Sequence, residues 1–296
     1  MILRDKPSPL DLALAIKGSI MPAVARPVAV VAVVATALTG LGLRFQVLPV
    51  LDPVSVTVFG LALSLFLGFR NNAAYERWWE ARQLWGGLLA DLRMLAREAE
   101  IFIPDSALRR EVLRDALAFA HLHRARLRGR PADPDCQRRA PDLMAAPNPA
   151  CAALDRLTAK LAEAHRAGMI DGFGARALTQ RLGSISLAQA GNERIALTPL
   201  PFVYSLLIYR TIYIFCLILP VALFAAAGWL TPVIVVIVAY VFLGLAEVSE
   251  QMSQPFGDAP NALPLDALCR AMEISLAAHL GEDAPPPLAP IDYQLS

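Results

Sequence analysis

"FRNNAAYERWWEARQLWG", residues 69–86, leaves an apolar run through an arginine, two asparagines, further charges and a pair of tryptophans. What precedes it decides the fold. Pro53 to Phe69 carries no charge, and neither does Pro27 to Leu43, which is built mostly of Val and Ala. Each is about the minimum length for crossing a hydrocarbon core. The link between them, RFQVLPVLD (44–52), is short, so the two helices form a hairpin. Thr211 to Ala246 is also uncharged, about twice the length one span needs, and Gly228, Trp229 and Pro232 break it near its middle. This pattern predicts four spans, near 27–44, 53–70, 204–227 and 230–247. For the first pair alone a buried soluble helix is an alternative, but the uncharged double run opposes it for the whole chain.

Composition points the same way. Of 296 residues 56% are hydrophobic and 18% charged, and the mean hydropathy is +0.48, in the membrane class. A net charge of +1 leaves no basic excess for nucleic acid. The N-terminal arm holds Arg4, Lys6, Lys17 and Arg26, and residues 70–203 hold most of the arginines, while the two hairpin turns hold almost none. By the positive-inside rule both termini and the 70–203 region of a multi-pass membrane protein are cytoplasmic. MILRDKPSPLDLALAIKGSIMPAVARP does not read as a signal peptide, because the apolar stretch begins only after Arg26.

The expected organisation is one all-α domain over 1–296, with a helical insert at 71–203 and a C-terminal segment at 248–296. Within the insert, EARQLWGGLLADLRMLAREAEIFI repeats Leu at helical spacing through Leu84, Leu88, Leu92 and Leu95. DSALRREVLRDALAFAHLHRARL opens with a capping signal, and PACAALDRLTAKLAEAHRAG and GARALTQRLGSISLAQAGNERI are further helices. RGRPADPDCQRRAPDLMAAPNP reads as loop. No phosphate-binding, zinc-protease or nucleophile-elbow motif occurs. His121 and His123 with Asp115 or Glu111 would be the material for an enzyme, but a gap of six puts Asp115 and His121 on different helix faces. His165 and His279 are isolated. Cys136, Cys151, Cys216 and Cys269 form no ligand spacing. No cofactor, metal or enzymatic activity is expected.

On a helix over 53–69, Leu61, Leu65 and Phe69 fall on one face, which Asn72 and Glu76 continue. Gly60, Ala62, Ser64 and Gly68 give the other faces small residues that let helices approach. One apolar stripe closes nothing, whereas several copies around an axis would form a collar able to gate by dewetting. Ordinary helix packing or lipid contact is the alternative at this level.

FLGFRNNAAYERWWEARQLWG resembles the signature of the bestrophin family in its bacterial branch. NERIALTPLPFVY (192–204), GLAEVSEQMSQPFG (244–257) and NALPLDALCRAMEISL (261–276) are similar to later family segments in the same order. The resemblance implies a homopentameric ion channel in the lipid bilayer, with four transmembrane helices per subunit, a large cytoplasmic helical region and permeant monovalent ions. It implies an apolar neck at Leu61, Leu65 and Phe69. Arg70, Asn71, Asn72 and Glu76 would then sit at the exit into the vestibule, where Arg70 or Arg77 could stack on Trp78 and Trp79 or pair with Glu76 or Glu80. It further implies a cytoplasmic aperture near Phe173, with Ile170 and Leu178 as alternatives. Vertebrate relatives bind calcium through an acidic run after PFG. Here that run reads DAPNALP with Asp258 its one acid, so no calcium clasp is expected. Closeness to the bacterial branch leans toward cations, with an anion channel and a non-conducting scaffold as alternatives. A coupled transporter is disfavoured because no ionisable residue lies mid-span, Glu247 and Glu250 sitting at the end of the fourth, within reach of Arg70, Arg194 or Arg210.

Overall fold

The computed structural model describes residues 1–2, 15, 18–45, 48–49, 51–131 and 133–296, the side chain of Pro53 excepted. Arg4, Lys6 and Lys17, which carry part of the N-terminal charge, lie outside the described residues, as does part of the 44–52 link. Nine α-helices are described: α1 (Met21–Phe45), α2 (Pro53–Phe102), α3 (Ser106–Leu127), α4 (Pro134–Arg139), α5 (Pro149–Arg166), α6 (Gly172–Leu197), α7 (Phe202–Ala227), α8 (Thr231–Ser253) and α9 (Leu265–Leu280). Among the described residues no strand forms beyond isolated bridges.

The chain divides into two compact units. One comprises 4–78 and 199–254, and the other 1–3, 79–198 and 255–296. α2 contributes to both. The expected second span and first insert helix are one helix of 50 residues, about 75 Å at 1.5 Å per residue. Asp52 starts it, its Oδ1 accepting from the Val54 amide at 3.1 Å, and Pro53 stands at the first helical position, where its missing N–H costs nothing. No proline follows to break it.

In the first unit α1 packs on α7 and α8, and α7 on α8. Their shared core includes Val31, Leu63, Leu67, Ile212, Phe215, Val235 and Leu243. α7 ends at Gly228, whose φ of +54° would strain any residue bearing a Cβ. A 3-10 turn over Gly228–Leu230 leads into α8, with Pro232 in its first turn. This is the break expected at 228–232. α2 approaches this core through Gly60, where an added Cβ would lie 2.9 Å from the Phe215 ring. Among the described residues three segments are long and apolar enough to cross a membrane: Met21–Phe45, Val54–Phe102 and Phe202–Ser253, the last including the Gly228 turn.

In the second unit α3 packs on α5 and α9, and Trp85, Leu88, Leu92, Phe119, Leu157 and Leu178 are buried. The Asp105 side chain caps α3 by accepting from the Ala107 amide at 2.8 Å, as the Asp-Ser signal predicts. The segment expected to be all loop is a correction. It contains α4, capped by Asp133 with Pro134 at its start, and a 3-10 turn over Pro141–Leu143. Both units are helical, as the sequence predicts.

Candidate functional site

The outward face of α2 carries the stripe. Leu61, Leu65 and Phe69 are 62%, 57% and 68% exposed, while Leu63 and Leu67 between them are buried. Val54, Val58 and Phe66 are exposed with them. Val58 and Val54 lie about one and two turns before Leu61, so helical spacing alone could have added them. An apolar groove flanks the stripe on each side. One, of about 570 Å³, is lined by Ala62, Phe66 and Phe69 of α2 and by Tyr204 and Leu207 of α7. The other, of about 440 Å³, is lined by Gly60, Leu61 and Ser64 with Phe215 and Phe242.

Below Phe69 the polar residues separate by face. Asn72 and Glu76 are exposed and continue the stripe. Arg70 faces inward and is only 5% exposed. Its guanidinium pairs with the Glu250 carboxylate, donates to Ser205 Oγ at 2.9 Å and donates to the Ala246 carbonyl at 3.1 Å. Ser205 Oγ in turn donates to Glu250 at 3.2 Å, and Ser249 Oγ donates to Asn71 Oδ1 at 3.1 Å. Arg77 Nε donates to the Ser253 carbonyl at 2.7 Å. The polar stretches of α2, α7 and α8 are thus tied by a charge-assisted network, in which both terminal nitrogens of the Arg70 guanidinium are engaged while its buried Nε has no partner. Arg70 pairs with Glu250, one of the partners the sequence offered, and not with Glu76 or Glu80. Tyr75 stacks on Trp78, with ring centroids 6.3 Å apart. Nothing in the sequence marks Ser205 or the Ala246 carbonyl as partners, since neither stands at a telling spacing.

In the other unit Phe173 is the second residue of α6 and is 82% exposed, whereas Ile170 and Leu178 are buried. Asp171 fixes the turn that presents it, its Oδ1 accepting from the Gly174 amide at 2.7 Å. Glu80 pairs with Arg194. Asp258 is held by Arg130 at 2.8 Å and by Arg128 at 3.7 Å, so guanidinium groups occupy the carboxylate that a cation would need.

The groups an enzyme would draw on serve other ends. Asp115 lies between Arg156 at 2.7 Å and Lys160 at 2.9 Å, and Glu111 also meets Lys160 at 3.0 Å. His121 Nε2 sits 2.9 Å from Glu273, and burial holds its pKa down against that carboxylate. His123 is sealed between Trp85 and Phe119, its ring centroid 5.6 Å from each, and burial lowers its pKa to about 4. Burial pushes the Cys136 and Cys269 thiols up to about 12, so neither offers a thiolate at neutral pH. Among the described residues no cluster of His, Cys, Asp and Glu could hold a metal.

The bacterial/fungal bestrophin family model matches residues 1–278. A Mesorhizobium japonicum protein named a voltage-dependent anion channel-forming protein is 42% identical over 99% of this chain and 96% of its own. Escherichia coli YneE, which carries the same descriptive name, is 41% identical over 80% of this chain and 78% of its own. The crystal structure of a bacterial bestrophin homologue from Klebsiella pneumoniae superposes with a TM-score of 0.79 at 30% identity, over 86% of this chain and 97% of that one. The chain belongs to the bacterial and fungal bestrophin family.

Proposed function

We propose that this protein is a bestrophin-type ion channel, not an enzyme, in which several copies, five by family resemblance, bring their α2 stripes together as an apolar neck. The observation that carries this reading is the exposure of Leu61, Leu65 and Phe69 between two apolar grooves. A contiguous apolar surface of that kind in a single chain marks a lipid-facing or protein-facing surface. The stripe continues without a charge to Asn72 and Glu76, which suits a passage from a dewetted constriction into water. In this reading α1, the first part of α2, α7 and α8 each cross the bilayer. Residues 71–203 and both termini lie in the cytoplasm, and Phe173 rings a second, cytoplasmic constriction.

Small monovalent ions fit a neck without charge. Anions are the leading reading, supported by the names of the relatives. The sequence-based lean toward cations finds no support in those names, yet one observation favours it. Glu76 is the first charged side chain on the exposed stripe, and no partner holds it among the described residues. A planar-bilayer recording of the purified protein under a KCl gradient decides. A reversal potential at the chloride equilibrium value supports the anion reading, and one at the potassium value overturns it. A silent bilayer formed by confirmed pentamers would favour the non-conducting scaffold.

A further inference from the structure

Three arginines of the membrane-type unit stand a similar distance along their helices from a helix end. α2 runs from its start at Pro53 to Arg70, α7 runs from Arg210 to its end at Ala227, and α1 runs from Arg26 to its end at Phe45. At about 1.5 Å per residue each of these stretches is about 26 to 29 Å long, close to the thickness of the hydrocarbon core, about 30 Å. On the membrane reading of these helices all three arginines fall at one membrane–water boundary.

Their surroundings differ. Arg70 is buried and neutralised by Glu250. Arg26 and Arg210 are exposed, and among the described residues neither has a hydrogen bond or an ion pair. No acid occurs in α1 or α7 to serve them. One turn to either side of Arg210 stand Leu207, Tyr213 and Ile214, all exposed, and one turn beyond Arg26 stands exposed Val30. An arginine on a lipid-type surface snorkels toward the headgroup layer. There the guanidinium fork matches phosphate bidentately, and the cytoplasmic leaflet is rich in anionic lipid.

We propose that Arg210 and Arg26 bind the phosphates of anionic phospholipids in the cytoplasmic leaflet. This rests on the membrane reading of α1 and α7 and not on which ion the channel carries. The test is native mass spectrometry of the detergent-solubilised full chain, titrated with dioleoyl phosphatidylglycerol and, separately, with dioleoyl phosphatidylcholine. The wild type should take up phosphatidylglycerol in preference. Arg210→Gln and Arg26→Gln should each weaken that binding roughly fivefold, with phosphatidylcholine binding and the mass of the assembly unchanged. Arg210→Lys should keep most of the preference.

If Arg210→Gln retains the full preference with intact assembly, the guanidinium serves only water and the proposal falls. It falls equally if the variant loses subunits while keeping the preference, because the arginine then pairs with a second copy. Competition by inorganic phosphate at the same concentration would overturn it too, by making free phosphate the ligand. A protein that shows the preference yet is silent in bilayers would leave this proposal standing and count against the channel.

Discussion

The two units of this chain handle charge and oil in opposite ways. In the insert unit large apolar side chains such as Trp85, Leu88 and Phe119 are buried, and ion pairs join helices distant in the chain: Arg181 of α6 with Asp91 and Glu98 of α2, and Arg124 of α3 with Asp266 of α9. In the membrane-type unit the apolar stripe of α2 points outward, and charge is absent from 27–43, 53–69 and 211–246 and gathers at their ends, as in the pair of Arg70 and Glu250. The first pattern is that of a protein in water. The second is that of a protein whose solvent is lipid or another copy of itself, where apolar exposure carries no penalty and an unpaired charge does. Substitutions of buried or paired side chains should therefore act on stability, and those on the outward stripe on conduction.

The largest stability effect is expected at Trp85, which is fully buried. Trp85→Ala should cost about 3–5 kcal/mol, read as a fall in the thermal midpoint of the solubilised protein. A fall of similar size from Leu65→Ala, whose side chain is more than half exposed, would erase the contrast between the units. Next comes Arg70→Met, which leaves the Glu250 carboxylate without its cation inside a partly buried knot. It should cost about 2 kcal/mol, and Arg70→Met combined with Glu250→Gln should recover part of that loss in a double-mutant cycle.

Acid should also act on the insert unit. Burial lowers the pKa of His123 to about 4, against about 6.5 for an unfolded histidine. Between those values the unfolded chain binds the proton and the folded one does not, so stability falls as pH drops from about 6.5 toward 4. Glu193 and Arg126 face this ring with opposite signs. His123→Phe should remove that part of the acid sensitivity, seen as a shallower dependence of the thermal midpoint on pH than in the wild type. The smallest expected effect is that of a calcium chelator. Arg128 and Arg130 already hold Asp258, so millimolar chelator should leave the current unchanged, and a lost current would reveal a cation site.

Much of this was legible in the sequence because lipid imposes so coarse a rule. Uncharged runs marked α1, α7 and α8, and Gly228 and Pro232 marked the turn between the last two. The continuity of α2 was not legible, because residues 70–80 carry charge and aromatic rings on every side and show no apolar period. α4 is too short to show any period, although Asp133 and Pro134 offered both a cap and a start. The spacing of Leu61, Leu65 and Phe69 marked a common face, but exposure is a property of the packed chain. The same holds for Phe173. Ile170, Phe173 and Leu178 were indistinguishable as apolar residues, and only the turn at Asp171 sets Phe173 outside while the other two are buried. Arg70 and Glu250 stand far apart in the chain, so the sequence could name the pair as one of several and not choose it.

Whether the outward stripe of α2 lines a conducting path is tested most directly by single-channel recording of Leu61→Ala combined with Leu65→Ala, beside the wild type in the same bilayer. A wider and less dewetted neck should raise the unitary conductance severalfold while the assembly mass and the thermal midpoint stay close to those of the wild type. A unitary conductance identical to that of the wild type would place those leucines against lipid and contradict the account.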